Sequence, residues 1–546
     1  MPRSFRLLVL VIIFGALSSA ILFLQMPRAA SVAASQPTPT PRPFPPKIPI
    51  DQVKPYDAHK ERDRLPTERL DNLVDKPCIN GFAAFYPCQD VDLLSFLSLD
   101  ALGGGQASSS WGWTDPDTQK EYALLGRTTG TSFVDITNPK APIYLGNLPT
   151  HTGSSWWREL KTYGYYALIA SDANGAHGLQ IFDLRTLRSV TNPPVTFSES
   201  AHYDGFDNGH TITVNPDSGY AYVNGTNTCS GGLHIVDVRD ALNPQFVKCF
   251  SSDGYTHDSQ CVTYHGADTA YTNREICFAA NEDTLTIVDV TNKNNLTQLA
   301  RKSYLDFGYT HQGWLTEDHN YFIVDDEFDE LDHGHNTYTY IWDVRDVNNP
   351  KLIGTHQAPM RAIDHNQYIV GNRLYQANYR AGLRVLDLTN VAKGKLREVG
   401  FFDIFPTDNA PNFNGAWNVY PFYASGVVTI AGIEQGLFVV KPQPESNPPP
   451  CDNKPRKSVL DSPLPAAHVT VLRVPLAWEA NACASSYRLS VYEKTATGKA
   501  LVYTQDVFAT HKRTKKLERG KTYLWSVRAC NVWGCGKAVT RTFTIK

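Results

Sequence analysis

The feature that most constrains the fold of this chain is a short apolar strand motif that ends in aspartate and recurs. Its copies read SFVDITNP, LQIFDLRT, LHIVDVRD, LTIVDVTN, YIWDVRDV and LRVLDLTN, and a seventh, LFVVKP, has lysine instead. The aspartates are Asp135, Asp183, Asp237, Asp289, Asp343 and Asp387. Their spacing of 44 to 54 residues is near the period of a four-stranded propeller blade. Turn-forming residues follow each aspartate, so we interpret the aspartates as turn caps.

The two ends of the repeat array complement each other. The seventh repeat ends at Lys441 without an outer strand, whereas residues 91–99 (VDLLSFLSL) have the pattern of one. An N-terminal strand that completed the last blade would close the ring and remove an exposed edge. The sequence therefore predicts an all-β chain with a seven-bladed β-propeller over residues 76–441. A tandem of β-sandwiches is the alternative, which the uniform period disfavours.

A second, smaller domain is expected at the C-terminus. Proline-rich residues 442–460 read as a linker, and residues 461–546 contain alternating strands at the spacing of a small β-sandwich. Trp478 is placed as a core residue, and Tyr523, after the turn LERGKT, as a tyrosine corner. This segment resembles a fibronectin type III domain.

The N-terminus predicts export. Arg3 and Arg6 precede an uncharged apolar run over residues 7–24, so residues 1–30 read as a cleaved signal peptide or an N-terminal membrane anchor. Polar and proline-rich residues 31–75 then form a spacer. A net charge of −3 without a basic stripe gives no reason to expect nucleic acid. Membrane contact is expected only through the N-terminal segment, if it is not cleaved.

Cysteine usage agrees with an extracytoplasmic protein, secreted or held at the outer face of the cytoplasmic membrane. The chain has ten cysteines and no CxxC pair of the zinc-ribbon kind, so disulfides are expected. The candidate pairs are Cys78 with Cys88, Cys229 with Cys249, and Cys261 with Cys277. The sequence leaves open the partners of Cys451, Cys483, Cys530 and Cys535.

Four histidines recur at one place in the repeats, about ten residues before the second strand. They are His210, His257, His311 and His365. Trp111, Ser155 and Asn414 fall near this place in the other three repeats. Innermost strands line the axis of a propeller, so the four imidazoles are expected to converge there.

Two interpretations of these histidines remain open. Imidazole is the commonest metal ligand, and Asp258 and Asp364 are placed to add carboxylates or to orient the rings, which predicts a site for a transition metal such as Zn²⁺, Fe²⁺ or Cu²⁺. The favoured interpretation is structural, with the histidines forming hydrogen bonds between blades.

Two further features are candidate sites. The acidic residues of the loop 325–332 are Asp325, Asp326, Glu327, Asp329, Glu330 and Asp332. Their carboxylates suit Ca²⁺ but lack EF-hand spacing, so a solvated loop is favoured. Tryptophans near the channel entrance offer faces for stacking a sugar or peptide, although core packing is expected for most. They are Trp111, Trp113, Trp156, Trp157, Trp314 and Trp417.

Long segments of the middle resemble the bacterial choice-of-anchor B family, which is built of LVIVD repeats. The resemblance covers roughly residues 75–442 and is carried by HYDGFDNGHTITV, TNTCSGGLHIVDV, GYTHDSQCV and GYTHQGWLTED, among others. It implies an exported protein and transfers no catalytic residue. The chain also lacks GxSxG, HExxH, P-loop and GxGxxG signatures.

We therefore expect an exported binding or scaffold protein whose propeller engages a protein or glycan partner at the cell surface. The alternative is a metal-dependent enzyme that uses the histidines at the propeller axis.

Overall fold

The computed structural model describes residues 73–79, 81–444, 454–479, 481, 484, 486–507, 510–531 and 534–546. These belong to one compact unit, Lys54–Lys546. The predicted leader, most of the spacer that follows it, the middle of the second linker, Cys451 and Cys483 lie outside the described residues. Among the helices in the described ranges, none has the length and apolar character needed to cross a membrane.

Residues 74–442 form seven antiparallel sheets, each built on four strands that follow one another in space. The innermost strands are Ala107–Thr114, Arg158–Tyr163, Thr211–Asn215, Asp258–Thr263, Thr310–Leu315, Gln367–Val370 and Ala416–Tyr420. The second strands are Glu121–Arg127, Tyr166–Ser171, Tyr220–Asn224, Glu275–Ala280, Tyr321–Asp326, Arg373–Ala377 and Val428–Gly432. The third strands are Gly130–Asp135, Leu179–Asp183, Leu233–Asp237, Leu285–Asp289, Tyr338–Asp343, Leu383–Asp387 and Gly436–Pro442. The outer strands are Ile143–Pro149, Ala201–Tyr203, Gln245–Phe250, Thr297–Lys302, Lys351–Gln357, Arg397–Phe402 and Val91–Ser98.

Short segments extend this arrangement. Additional edge strands are Val74–Lys76, Phe82–Ala83, Tyr86–Gln89 and Val195–Thr196, of which the last pairs in parallel. One α-helix of the described ranges, Asp329–His333, is named α1. The 3₁₀ turns are Asp100–Leu102, Leu184–Ser189, Cys229–Gly231, Thr269–Tyr271 and Val391–Lys393.

The innermost strands are arranged in a cycle. Each contacts the innermost strand of the next sheet, and Ala416–Tyr420 of the seventh sheet contacts Ala107–Thr114 of the first. Hydrophobic side chains fill the space between neighbouring sheets, as where Phe133 of the first sheet stacks on Phe182 of the second at 4.6 Å between ring centroids. Because both faces of each sheet are covered, the strands read as nearly continuous apolar runs. The fold is thus all-β and propeller-like.

The first and last segments of this region share one sheet. Val91–Ser98 pairs antiparallel with Gly436–Pro442, so the predicted pairing of the N-terminal strand with the last repeat is confirmed. Phe96 lies opposite Phe438, with 4.5 Å between ring centroids, and both side chains are buried. The chain termini of the region are therefore held together by backbone hydrogen bonds and by a buried aromatic contact.

The repeated aspartates are turn caps, as predicted. In each of the six copies the carboxylate accepts a hydrogen bond from the backbone N–H two residues later, at 2.9–3.1 Å. This short loop ends the third strand and turns the chain toward the outer strand.

The C-terminal residues form two sheets around one hydrophobic core. The strands of the smaller sheet are Leu460–Ser462, Pro475–Trp478 and His511–Arg513. The strands of the larger sheet are Ala467–Val469, Ser486–Thr495, Gly498–Val507, Thr522–Asn531, Gly534–Cys535 and Val539–Ile545. Trp478 of the smaller sheet lies 6.2 Å from Trp525 of the larger, between ring centroids, inside the core. The Tyr523 hydroxyl accepts a hydrogen bond from the backbone N–H of Glu518, which ties the preceding turn to the core.

Disulfides join all three expected pairs and one more. Cys78 is bonded to Cys88, Cys229 to Cys249, and Cys261 to Cys277. The fourth disulfide is Cys530–Cys535. Within the described ranges no cysteine is free. Such usage fits an oxidising compartment outside the cytoplasm.

Replacing Phe96 by alanine tests the contact between the two ends. We expect Phe96→Ala to lower the free energy of unfolding by about 3–5 kcal/mol, because it leaves a cavity against Phe438. Leu305→Ala is the control, since this leucine is 84% exposed, and a change within about 0.5 kcal/mol is expected. Urea denaturation measures both. Equal effects of the two substitutions would show that the N-terminal strand does not close the sheet.

Candidate metal centre

The four recurring histidines lie in one row. Their ring centroids are 4.5 Å apart between His210 and His257, 4.2 Å between His257 and His311, and 4.3 Å between His311 and His365. All four side chains are buried. His311 is part of an innermost strand, and the other three stand one or two residues before one. Successive sheets therefore place the same repeat position side by side.

Two of the rings are held by carboxylates. Nδ1 of His210 donates to Asp172 at 2.9 Å, and Nδ1 of His311 donates to Asp325 at 3.1 Å. Asp325 is held in turn by a hydrogen bond that it accepts from the backbone N–H of Gln312 at 2.7 Å. A carboxylate at Nδ1 fixes the tautomer and the orientation of an imidazole and makes Nε2 a better ligand.

The other two rings are held by backbone carbonyls. Nδ1 of His257 donates to the carbonyl oxygen of His311 at 2.9 Å, and Nδ1 of His365 donates to that of Trp417 at 2.6 Å. In the described part of the chain, Nε2 of none of the four histidines forms a hydrogen bond. All four rings thus present a free Nε2 lone pair when neutral.

Glu327 completes the arrangement. Its carboxylate oxygens lie 3.9 Å from Nε2 of His311 and 3.6 Å from Nε2 of His365, and it accepts a hydrogen bond from the Tyr379 hydroxyl at 2.6 Å. The three ligand atoms lie within 4.8 Å of one another. Ligands that bind one ion at about 2.0–2.2 Å are at most about 4.4 Å apart. The distances from Glu327, one from each of its oxygens, satisfy this limit, so Glu327 lies close enough to either ring to share one ion with it.

The pKa of His311 differs from those of its two neighbours in the row. Burial lowers the pKa of His311, but the carboxylates of Asp325 and Glu327 outweigh it and raise this pKa to about 9. Burial, followed by the neighbouring charge of His311, holds the pKa values of His257 and His365 well below the usual range. Without a metal the row therefore holds one imidazolium between two neutral imidazoles.

A cavity opens at the row. It is small and opens toward solvent. Besides the four histidines, it is lined by Trp157, Arg158, Glu159, Thr211, Asn366 and Trp417. The guanidinium of Arg158 bonds to residues that do not line the cavity: its Nε donates to the carbonyl of Arg127 at 3.0 Å, and its Nη1 lies 3.1 Å from Nε2 of His177. The cavity lining therefore combines free imidazole nitrogens with polar and aromatic residues.

Several sequence predictions about this site are wrong in detail. Hydrogen bonds to the rings come from Asp172 and Asp325, not from Asp258 or Asp364. Asp258 instead accepts from the backbone N–H of Ser259. The predicted positions in the other repeats are not in the cavity lining: Trp111 packs among aromatic rings, Ser155 binds a backbone carbonyl, and Asn414 binds Arg380 and Glu434.

Glu327 and Asp172 were missed for one reason. Asp325 lies near the end of the second strand Tyr321–Asp326, and Glu327 directly follows that strand. Asp172 directly follows the second strand of another sheet. Antiparallel pairing brings these ends beside the starts of innermost strands. An acidic residue directly after a second strand is the signal that would have found them.

The acidic loop is also different from the prediction of a solvated segment. Asp325, Asp326, Asp329 and Glu330 are each 0% exposed, and only its end, at Asp332, is exposed. Asp326 accepts hydrogen bonds from the backbone N–H groups at 308 and 309 and from the hydroxyl of the tyrosine at 304. Most of the acidic side chains of this loop are therefore buried in the folded protein.

The tryptophans divide as expected between packing and the cavity. Trp113 is buried, and Trp111 and Trp314 pack against Tyr368. Trp157 and Trp417 are partly exposed and line the cavity.

Comparison with known proteins gives only distant likenesses. No protein-family model and no curated protein matches the chain. Similar solved structures include β-propeller-like proteins. Periplasmic gluconolactonase of Pseudomonas aeruginosa is 13% identical, with a TM-score of 0.38 over 56% of this chain and 86% of that one. The surface component PorZ of the Porphyromonas gingivalis type-IX secretion system is 10% identical, with a TM-score of 0.40 over 81% and 60%.

A third similar structure is a functionally unknown protein from Desulfotomaculum acetoxidans, 10% identical, with a TM-score of 0.39 over 57% of this chain and 88% of that one.

The hydrogen bonds at Nδ1 predict the tautomers of two rings. In the metal-free protein at neutral pH, His257 and His365 are expected to be neutral and protonated at Nδ1, because each donates to a carbonyl. Long-range ¹H–¹⁵N spectra of histidine-labelled protein, assigned with His257→Gln and His365→Gln, measure this. A proton on Nε2 of either ring would contradict the geometry.

Proposed function

We propose that this protein is an extracytoplasmic metalloprotein that binds one divalent transition-metal ion at the His311–His365–Glu327 site and uses it in catalysis. One observation carries the proposal: every Nδ1 in the row is occupied by an acceptor, which leaves the Nε2 atoms free beside a carboxylate. Histidines that served only to hold neighbouring sheets together would not all need to leave Nε2 free.

The donor set indicates the kind of ion. Two imidazoles and one carboxylate suit Zn²⁺ or Fe²⁺, and His257 stands next in the row as a further nitrogen donor. A metal ion held by three protein groups acts as a Lewis acid and keeps positions open for water or substrate. This is the arrangement of catalytic rather than structural sites.

The type of propeller, the type of C-terminal domain and the location of the protein are also proposals, and each has its own supporting observation. The cycle of contacts between innermost strands supports a closed seven-bladed propeller, and the sequence segments similar to the choice-of-anchor B family support that type. The hydrogen bond of Tyr523 to the preceding turn supports a fibronectin type III-like C-terminal domain. The four disulfides of the described residues support a secreted or surface-held protein.

A second candidate function is the binding of a glycan or protein partner at the cell surface. It is favoured by Trp157 and Trp417, which are partly exposed in the wall of the cavity and offer aromatic faces for stacking. Binding of this kind would persist after the metal is removed with a chelator, whereas metal-dependent catalysis would not.

Metal analysis of the full-length protein tests the proposed site. We expect about one Zn or Fe per chain, falling below about 0.1 in Glu327→Gln and in His365→Gln, because each substitution removes one of three ligands. The matched control is His234→Gln, since His234 is equally buried but bonds to Tyr203 outside the cavity. Metal retained in both ligand variants, or absent from the reconstituted parent, would overturn the proposal.

Cobalt substitution distinguishes an open site from a closed one. Azide added to the Co²⁺-loaded protein is expected to change its visible absorption, because an open coordination position accepts the anion. An absorption spectrum that azide leaves unchanged would indicate a structural metal and would argue against catalysis.

A further inference from the structure

Three carboxylates meet beside the proposed metal centre without taking part in it. Asp329 and Glu330 begin helix α1, and Asp364 lies on a separate segment, ahead of the innermost strand Gln367–Val370. All three are 0% exposed. Their carboxylate oxygens lie within 4.8 Å of one another.

Most of these oxygens have no partner. Asp329 accepts one hydrogen bond, from the Tyr340 hydroxyl at 2.7 Å, and its Oδ1 has no partner. Both oxygens of Glu330 and both oxygens of Asp364 are buried and unpartnered. Within the described ranges no lysine or arginine forms an ion pair with any of the three, and the basic group beside them is His335, whose Nε2 lies 3.8 Å from Asp329. Asp364 is thus an unsatisfied buried group aimed at a pair of carboxylates from another segment.

Such a cluster is unfavourable as it stands. Three buried carboxylates stand close together with almost no hydrogen-bond donors around them. Burial, together with the charge of Asp329, raises the pKa of Glu330 to about 11. Buried carboxyls of this kind must either take up protons or be neutralised by a cation.

We propose that Asp329, Glu330 and Asp364 bind a second metal ion, a Ca²⁺, distinct from the transition metal at the histidines. Hard carboxylate oxygens favour a hard cation. Oxygens that bind Ca²⁺ at about 2.3–2.6 Å lie at most about 5 Å apart, which the 4.8 Å separation satisfies. Ca²⁺ supplies two positive charges at a cluster where the ion-pairing basic group is the single imidazole of His335, 3.8 Å from Asp329.

The calcium site supports the histidine site through the chain. Asp364 directly precedes His365, and Asp329 is two residues after Glu327. A cation that joins Asp364 to Asp329 and Glu330 therefore fixes the two segments that carry a histidine ligand and the carboxylate ligand.

Thermal unfolding of the full-length protein tests the calcium site. The protein is first treated with EGTA, and 1,10-phenanthroline is kept present to hold transition metals away. Millimolar Ca²⁺ is then expected to raise the Tm by about 2–4 °C, as for a ligand at about 100 times its Kd acting on a chain of this length. Asp364→Asn and Glu330→Gln are expected to abolish this rise. Without Ca²⁺ each variant melts no lower than the parent, because it loses a buried carboxyl that has no partner.

Two controls separate the proposals. Asp332→Asn changes an exposed carboxylate of the same segment and keeps the Ca²⁺ response. Glu327→Gln, which removes a ligand of the proposed transition metal, also keeps it. The calcium site is overturned if Ca²⁺ leaves the parent Tm unchanged, or if both Asp364→Asn and Glu330→Gln respond as the parent does. Neither outcome bears on metal binding by the histidines.

Discussion

The pairing of Val91–Ser98 with Gly436–Pro442 is the constraint on which the rest of the structure depends. It places the first strand of the repeat region in the last sheet, so that the innermost strands contact one another in an unbroken cycle. An open array of the same sheets would leave an exposed edge at each end. It would also let neighbouring sheets shift, and the histidine row needs sheets that are fixed to within fractions of an ångström.

Because the innermost strands form a cycle, residues that are one repeat apart in the sequence lie side by side in the structure. His257 and His311 are separated by 54 residues, yet the ring of one donates to the backbone of the other. Each ring is oriented by an acceptor from the same or a neighbouring sheet, and the burial that makes this orientation rigid also makes unpaired charge costly. A buried site of this type is stable only when carboxylates, protons or metal ions balance its charge. The carboxylates that face the row, Asp172, Asp325 and Glu327, supply that balance from the ends of second strands.

The sequence predicted what depends on local pattern. Strand positions, the turn caps, three disulfides and the histidine row follow from period and from residue type, because neighbouring repeats fold alike. It did not place Glu327 beside the histidines, since that residue belongs to an acidic run that was considered for Ca²⁺ but interpreted as a solvated loop. Burial of Asp329 and Glu330 is a tertiary property: it is set by the segments that surround α1, among them those that carry Tyr340 and Asp364, and a charge pattern by itself contains no information on that packing. The same limit explains why Asp258 and Asp364 were assigned to the rings by proximity in sequence.

Anomalous diffraction at the absorption edge of the bound metal tests the central claim most directly. Crystals of the full-length protein grown without chelator are expected to show one anomalous peak about 2.0–2.3 Å from Nε2 of His311, Nε2 of His365 and a carboxylate oxygen of Glu327. Absence of a peak at this position in crystals soaked with Zn²⁺ or Fe²⁺ would show that the row is a structural device between blades and not a metal centre.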